Sequence, residues 1–203
     1  MNKHSLRDIK REATAQALAD AAFELALERG LDGFVVEDVV QRAGYSRRTF
    51  ANHFSCKEEA VVTAAVTFSG IDEAEGLLAD MSESTALLDV LQQLMRTQLT
   101  ADLLWKLREL VSLSKRHPTL EPFILSVFRR LQTAAQETLS DFSQGRYPEG
   151  YTHLLVGAVY GAILPVIDGS LNVLLPGETS ETPGATTFDQ YLDTTFGYLR
   201  NGV

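Results

Sequence analysis

The side chains best suited to binding chemistry in this 203-residue sequence lie between Ala43 and Glu58. Two adjacent arginines, Arg47 and Arg48, are followed by hydroxyl, amide, imidazole and ammonium groups up to Lys57. Guanidinium and ammonium groups bind phosphate oxygens, and guanidinium and amide groups also hydrogen-bond base edges. These residue types predict a surface that binds DNA.

The residues around the two arginines predict two helices joined by a tight turn. Gly44 suits the left-handed residue that ends a helix, and the Ser46 hydroxyl can accept from the free amides of the helix that follows. Phe50 and Phe54 are four residues apart, so they share one face of that second helix. Tyr45 precedes the cap and is placed to pack on Phe50 as a hydrophobic staple. This is the pattern of a helix-turn-helix.

The arginines occupy the first turn of the second helix, where the helix dipole favours negative charge. Positive side chains at this position lower helix stability, which suggests that they bind an external anion. An alternative interpretation is that Arg47 and Arg48 form only a solvated basic face. The capped turn before them and Lys57 after them favour the DNA-binding interpretation.

The formal net charge of −9 at first argues against a nucleic-acid partner. Residues 1–60 contain nine Lys and Arg against ten Asp and Glu, whereas residues 61–203 contain nine against seventeen. The excess acid is therefore concentrated in the second part of the chain, and a local basic patch is compatible with the total. Candidate members of such a patch come from the first helix and the turn region: Lys3, Arg7, Lys10, Arg11, Arg47, Arg48 and Lys57.

The sequence also predicts the cellular compartment. Cys56 is the single cysteine, so an internal disulfide is excluded and a reducing cytoplasm is indicated. The first residues lack the apolar segment of a signal peptide. We therefore expect a cytoplasmic protein without a membrane anchor.

Helical periodicity extends over most of the chain. Residues 6–29 lack Gly and Pro and repeat apolar residues at helical spacing, and Val36, Val39, Val40 and Ala43 form a second apolar stripe. A further helix is predicted from Lys57 to near Asp80, softened by Gly70 and Gly76. The acidic cluster Asp72-Glu73-Glu75 is interpreted as a solvated face, because no His or Cys stands at metal-ligand spacing.

These segments resemble the N-terminal domain of TetR-family transcriptional regulators. The resemblance covers roughly residues 7–60. The matching runs are 22–30 (AFELALERG), 36–39 (VEDV), 42–50 (RAGYSRRTF), His53-Phe54 and Lys57-Glu58-Glu59.

The resemblance implies an all-α fold with a three-helix DNA-binding domain at residues 1–56 and a larger helical ligand-binding and dimerisation domain at residues 57–203. It further implies a homodimer that binds near-palindromic operator DNA, with repression as the usual mode. In this family Arg47, Arg48 and Thr49 stand at base-contacting positions, with Asn52 a further candidate. Tyr45, His53 and Lys57 stand at phosphate-contacting positions, and Ser46 belongs to the same DNA-binding turn.

Two residues depart from the family pattern. Ala51 replaces an aromatic residue that often touches DNA, and Val35 replaces a threonine that caps the first helix of the motif and reaches a phosphate. Both changes are expected to weaken the grip on the DNA backbone. Tyr45 stands where a small aliphatic residue is commoner, and its hydroxyl offers one contact in return.

The remaining sequence predicts a helical domain with a dimer interface near its end. Helices are expected over Ser84–Leu99, Leu103–Arg116 and from Thr119 towards Phe142. The segment Leu154–Leu175 is apolar on nearly every side. A transmembrane span would have to bury Asp168 and Asn172, so a helix buried between its own domain and a partner subunit is favoured. After a flexible loop at residues 176–185, the last helix has an apolar stripe wide enough for dimer contact.

The function of this second domain follows less directly from its residues. No nucleophile elbow, phosphate loop or zinc motif is present, so we expect neither an enzyme nor a bound cofactor or metal. A lipophilic effector is the expected ligand, with aromatic, aliphatic and basic side chains as candidates: Trp105, Arg108, Phe123, Phe128, Leu131 and Tyr160. The alternative for these residues is plain core. The alternative for the whole chain is a ligand carrier or interaction module with weakened DNA binding.

Overall fold

The structure is a computed structural model that describes residues 6–65, 76–82, 84–179 and 184–202. Its helices are α1 (Leu6–Arg29), α2 (Val36–Ala43), α3 (Arg47–Ala51), α4 (Lys57–Thr63), α5 (Leu87–Gln98), α6 (Ala101–Arg116), α7 (Glu121–Ser143), α8 (Glu149–Ile167) and α9 (Phe188–Asn201). Single 3₁₀ turns lie at Leu31–Gly33 and Pro118–Leu120. Within the described residues, extended pairing is limited to a bridge between Leu174 and Thr187. The predicted all-α fold is therefore confirmed.

The first of two compact units contains the described residues of 1–67 together with residues 112–127. Its core forms around the second half of α1, where Leu18, Ala22 and Leu25 are fully buried. Val39 of α2 and Phe50 of α3 are buried in the same unit, as are the apolar residues of α4. Helix α1 contacts both α2 and α4, so it is the support on which the shorter helices pack.

The second unit contains the described residues of 68–111 and 128–203. Leu91, Leu104, Leu139, Val156 and Phe196 are completely buried, one from each of α5 to α9. Polar bonds join α5 to α9: Asp193 binds Gln92 and Arg96, and Arg200 binds Asp89. Helices α6 and α7 each contribute residues to both units.

The two units divide the chain differently from the expected boundary between residues 56 and 57. Residues of α4 and residues 112–127 group with the N-terminal helices, because side chains such as Leu120 and Ile124 are buried there. Turn residues in the sequence do not predict this grouping, because the grouping depends on contacts between residues far apart in the chain.

Helix bounds agree well with the sequence prediction in the first sixty residues and less well afterwards. Helices α1 and α2 begin and end as predicted. Helix α4 ends at Thr63, and residues 66–75, with the predicted continuation and the cluster Asp72-Glu73-Glu75, lie outside the described residues. Lys3 of the predicted basic patch also lies outside them, as do residues 180–183 of the predicted loop.

The prediction of one helix over Leu154–Leu175 is wrong at both ends. Helix α8 begins at Glu149 and ends at Ile167, where Asp168 caps a turn by accepting the Ser170 amide at 2.8 Å. Gly169 follows with a φ of +81°, a left-handed conformation that stops the helix. The helix is long and apolar enough to cross a membrane by length and composition alone, with 39% of that stretch buried inside the structure.

Replacing Gly44 by alanine should lower the free energy of unfolding by about 1–2 kcal/mol. Gly44 has a φ of +75° and a ψ of +29°, and a Cβ is strained there although the space around it is open. The test is chemical denaturation followed by circular dichroism. Gly44→Asn is the matched control, because asparagine tolerates this conformation better. Equal stability of the Gly44→Ala variant and the original protein would contradict the prediction.

Candidate nucleic-acid interface

The turn between α2 and α3 is closed by backbone and side-chain hydrogen bonds. The amides of Gly44 and Tyr45 both donate to the Val40 carbonyl, the latter at 2.9 Å. The Ser46 hydroxyl accepts from the Thr49 amide at 3.1 Å and lies 2.8 Å from the Thr49 hydroxyl. The predicted left-handed ending of α2 and the predicted serine cap of α3 are both confirmed.

Helix α3 buries one side and exposes the side that carries the predicted DNA-binding residues. Phe50 and Phe54 are almost completely buried, with ring centroids 5.5 Å apart. Arg47, Arg48 and Asn52 are exposed, together with Ala51. The buried phenylalanines therefore fix which side chains of this five-residue helix face solvent.

The two arginines differ in their surroundings. Arg47 forms an ion pair with Glu37 of α2, with Nη1 and Oε1 2.7 Å apart and both side chains more than half exposed. Such exposed pairs contribute at most about 1 kcal/mol, so an external anion can replace the carboxylate. Arg48 has no ion-pair partner among the residues that the structure describes.

The Lys57 side chain, a predicted phosphate contact, is turned towards the loop between α1 and α2. Its ammonium group donates to the carbonyl oxygens of Leu31 and Phe34 at 2.6 and 2.8 Å and lies 4.9 Å from the centre of the Phe34 ring. Two of its three protons are therefore used inside the domain. The role of Lys57 visible in the structure is to hold the loop between α1 and α2 against the start of α4.

His53 lies at the junction of α3 and α4, partly buried, with its ring 6.3 Å from that of Phe54. Burial lowers the pKa of the imidazole, and the positive charge of Arg11 on α1 lowers the pKa further. The free protein therefore holds His53 neutral at neutral pH. A nearby phosphate would act in the opposite direction and favour the protonated imidazole.

Val35 leaves the start of α2 without a side-chain cap. It occupies the cap position in extended conformation, and its own amide donates to the Asp38 carboxylate at 2.9 Å. Half of a capping box is thus present, whereas the half that a threonine hydroxyl would supply is missing. The Val35 side chain is 56% exposed, and this agrees with a position that faces outward rather than into the core.

Sequence reasoning missed the ion pairs that orient α2. Arg42 donates two hydrogen bonds to the Glu28 carboxylate, at 2.8 and 2.6 Å, and its Nη1 lies 3.6 Å from an oxygen of Glu24. The hydrogen bond from Arg42 lowers the pKa of Glu28, and the same bond raises the pKa of Arg42. Glu24 and Glu28 are one helical turn apart, but that spacing alone does not indicate a partner on another helix.

A second missed contact involves the loop between α1 and α2. His117 Nδ1 lies 3.5 Å from the Asp32 carboxylate, and His117 Nε2 lies 3.9 Å from where a Cβ on Gly30 would be. Gly30 itself has a φ of +71°. The loop is therefore bounded by Lys57 and by residues 112–127, which belong to the same unit.

The six candidate effector-binding residues are not all alike in the structure. Trp105 is 43% exposed, and Phe123 belongs to the first unit whereas the others belong to the second. Phe128 and Leu131 are partly buried, as is Tyr160, whose pKa burial raises. Their part in effector binding stays a prediction.

Arg108 is used to organise the second unit. Its guanidinium donates to Glu178 at 2.9 Å and to the carbonyl oxygens of Val166 and Val173 at 3.3 and 3.2 Å. Glu178 also accepts the Leu175 amide at 2.7 Å. Arg108 therefore ties the end of α8 to the loop that follows it, and a ligand contact would have to compete with these bonds.

Comparisons with known proteins agree with this geometry. Residues 18–62 match the family described as bacterial regulatory proteins, tetR family. An HTH-type transcriptional regulator of Bacillus subtilis, YwcC, named as uncharacterised, is 43% identical over 51 residues. That match spans 25% of this chain and 23% of the relative.

A crystal structure from Mesorhizobium loti, described as that of a candidate TetR-family transcriptional regulator, has the same fold. Its TM-score is 0.56 over 94% of this chain and 95% of that chain, at 17% sequence identity. The family and both proteins carry descriptions of regulators rather than of enzymes. The expectation of a non-enzymatic protein agrees with these descriptions.

The fold and the capped helix pair define a helix-turn-helix protein with a second helical unit. Residues 18–62 include the Gly44 turn, the Ser46 cap and both buried phenylalanines, so the family match and the geometry concern the same residues. Within residues 18–62, the chain is therefore similar to the bacterial regulatory proteins of the tetR family.

Replacing Lys57 by methionine should lower the free energy of unfolding by about 2 kcal/mol, because the substitution leaves the Leu31 and Phe34 carbonyls without their charged donor. Methionine keeps most of the apolar stem, so the loss reports on the ammonium group. Chemical denaturation of the full chain measures the change. Arg48→Met is the control, since Arg48 is exposed, and it should leave stability within about 0.5 kcal/mol. Equal stabilities of the two variants would contradict the structural role of Lys57.

Proposed function

We propose that this protein is a cytoplasmic, ligand-responsive transcriptional repressor that binds near-palindromic operator DNA as a homodimer and is released by a lipophilic small molecule. The observation that carries the proposal is the α2–α3 pair. A glycine-capped turn and the buried Phe50 and Phe54 leave Arg47, Arg48 and Asn52 on the exposed side of α3. A helix exposed in this way can enter the major groove.

The contacts within each half-site follow from the side chains on that surface. Arg48 and Asn52 carry the donors that read guanine and adenine edges. Arg47 exchanges Glu37 for DNA, while Thr49 and Ser46 keep their mutual hydrogen bond and present hydroxyl groups.

Of the three predicted phosphate contacts, we keep Tyr45 and His53 as the main ones. The Tyr45 side chain is exposed, and His53 is partly exposed, so both can reach the backbone. Lys57 has one proton left after its two carbonyl bonds, and we assign it a secondary part in phosphate binding. We still expect Val35 and Ala51 to make the contacts with the DNA backbone weaker than is usual in the family.

An exposed apolar stripe on α8 supports homodimerisation. Leu154 is 66% exposed and Leu164 is 44% exposed, and the stripe continues through Gly157 and Gly161. A Cβ at either glycine would meet no atom within 4 Å, so packing inside the chain does not require glycine there. Glycine within a helix costs about 1 kcal/mol relative to alanine. Close approach of a second chain explains both the glycines and the exposed leucines.

Helix α9 adds to the same proposed interface. Tyr198 and Leu199 are exposed near its end, while Phe196 and Leu192 are buried in the second unit. Two copies joined through α8 and α9 would present two reading helices. Their separation must match half-sites about 34–36 Å apart, or a multiple of that distance. Binding of an effector in the second unit would change this separation and release the DNA.

A ligand carrier with weakened DNA binding is the alternative. The inward position of the Lys57 ammonium and the missing cap at Val35 favour it, since both reduce the phosphate contacts available. The exposed arginines on α3 favour the regulator, because a ligand carrier has no use for a capped turn that presents them to solvent.

Replacing Arg48 by alanine should weaken binding to the preferred operator by about 1–3 kcal/mol and relax specificity at the base pair that Arg48 reads. The measurement is a fluorescence-anisotropy titration against DNA flanking the gene, repeated at several salt concentrations. Wild-type binding should weaken steeply with salt. Arg129→Ala is the matched control, because Arg129 is an exposed residue of α7 in the second unit.

Failure of the folded wild-type dimer to bind any DNA fragment selectively, at any salt concentration, would overturn the regulator proposal and favour the carrier. If the Arg48→Ala variant binds operator DNA as tightly as the wild-type protein does, the regulator proposal stands. Arg48 would then be excluded as a residue that contacts base edges. A thermal-shift screen of lipophilic compounds then identifies the effector separately.

Replacing Leu154 by glutamate should raise the dimer dissociation constant at least a hundredfold. The two-fold interface loses two leucine contacts worth about 1.5–3 kcal/mol each, and tenfold in affinity corresponds to about 1.4 kcal/mol. Analytical ultracentrifugation measures the change. Leu125→Glu on α7 is the control, because Leu125 is 60% exposed but lies off α8. An unaltered dimer in the Leu154→Glu variant would exclude this stripe from the interface.

A further inference from the structure

The guanidinium of Arg108 is a largely buried charge in the second unit, with 26% of the side chain exposed. Its Nη1 donates to both carboxylate oxygens of Glu178, at 2.9 and 3.2 Å. Its Nη2 donates to the carbonyl oxygens of Val166 and Val173, at 3.3 and 3.2 Å. Its Nε is completely buried and has no hydrogen-bond partner among the residues that the structure describes. One donor of this charged group is therefore unused.

The ion pair with Glu178 satisfies the guanidinium only in part. A carboxylate binds a guanidinium most strongly when its two oxygens accept from two different nitrogens in parallel. Both oxygens of Glu178 accept from the same nitrogen, and one of them also accepts the Leu175 amide at 2.7 Å. A buried donor without an acceptor is costly. A carboxylate that is not tied to the chain can therefore bind Arg108 in a better geometry than Glu178 does.

Large apolar side chains are exposed next to Arg108 and next to one of its partners. Trp105 precedes Arg108 by three positions, so the two side chains are neighbours on α6, and Trp105 is 43% exposed. Leu171 is 41% exposed and lies two positions before Val173, in the loop that Arg108 holds. An anion with an apolar tail could use both the charge and these apolar surfaces. An inorganic anion could use only the charge.

We propose that Arg108 binds the carboxylate of the effector and that Glu178 occupies this position in the free protein. The effector is then an ionised lipophilic carboxylic acid that displaces Glu178. The inference rests on the proposed function, which names only a lipophilic small molecule, and it adds the charged group and the residues that exchange it. A carboxylate is favoured over a larger anion because the position already holds the carboxylate of Glu178.

Displacement of Glu178 would act on both helices of the proposed dimer interface. Glu178 holds the Leu175 amide, and the neighbouring Leu174 carbonyl accepts the Phe188 amide at the start of α9, at 2.8 Å. Arg108 itself binds a carbonyl oxygen at the end of α8. A ligand on Arg108 would therefore loosen the loop that joins α8 to α9. These two helices set the separation of the two reading helices in the proposed homodimer.

The first experiment uses the fluorescence of Trp105, which is the single tryptophan of the chain and stands three positions before Arg108. The full chain is titrated with octanoate and decanoate, and with the neutral amide of each acid. The acids should bind about tenfold or more tightly than the amides, which keep the tail but lack the charge. Equal affinities for acid and amide, or no binding of either acid, would overturn the inference.

The second experiment distinguishes a binding site from a purely structural ion pair. Glu178→Gln removes the competing charge, so octanoate should bind about fivefold more tightly, because a larger fraction of the protein has Arg108 accessible. A purely structural role of Glu178 predicts unchanged or weaker binding, and that result would exclude displacement. Since Glu178→Gln keeps the buried arginine, this test does not depend on whether an Arg108 variant folds.

The matched pair of arginine variants tests the binding residue itself. Arg108→Gln, if circular dichroism shows that it is folded, should lower octanoate affinity about tenfold or more. Arg129→Gln is the control, because it removes the same charge from an exposed position of the second unit, and it should bind octanoate as the wild type does. Equal octanoate affinities of the two folded variants would exclude Arg108 as the carboxylate site.

The third experiment connects acid binding with release of DNA. Octanoate and decanoate, at concentrations that saturate the Trp105 signal, should weaken operator binding, and the Glu178→Gln variant should release DNA at lower acid concentrations. Unchanged operator binding with the acid bound would overturn the role of the acid as effector and leave the regulator proposal standing. Absence of selective operator binding by the folded wild type would instead mean that the proposed function fails.

Discussion

Burial of Phe50 in the core of the first unit is the interaction on which helix α3 depends. Helix α3 has only five residues, and an isolated helix of that length is unstable in water. Its conformation is maintained because Phe50 and Phe54 are removed from solvent, Ser46 caps its first turn, and Gly44 allows α2 to end immediately before it. Every exposed side chain of α3 therefore has its direction set by two phenylalanines on the opposite side.

Ion pairs and hydrogen bonds within the first unit fix the orientation of α2 on α1. Two hydrogen bonds from Arg42 to Glu28 hold the end of α2 to α1. The beginning of α2 is held to α1 by the ion pair of Asp38 with Arg29, whose charged atoms are 3.6 Å apart. Asp38 also accepts the Val35 amide. These acidic residues are used to orient α2, which explains how a unit with no excess of basic residues can still present exposed arginines on α3.

Local signals in the sequence were sufficient for the helix-turn-helix. Gly44, Ser46 and the two phenylalanines each act within a few residues, so capping and periodicity predicted α2, α3 and their turn. The directions of long side chains could not be predicted in this way. Lys57 turns towards Leu31 and Phe34, and Arg108 towards the end of α8, because of partners 23 to 70 positions away in sequence. The end of α8 at Ile167 was missed because an apolar run masked the Asp168 turn.

The first unit is built from two separate segments of the chain, and this affects how it folds during synthesis. Leu120, Ile124 and Val127 are buried in that unit although they lie more than fifty residues beyond α4. During translation, the helices of the first unit leave the ribosome long before these side chains do, so their core stays incomplete until residues 112–127 emerge. The helix-turn-helix is therefore not a module that can be cut after α4 and joined unchanged to another chain. An exchange of such domains would have to include residues 112–127 as well.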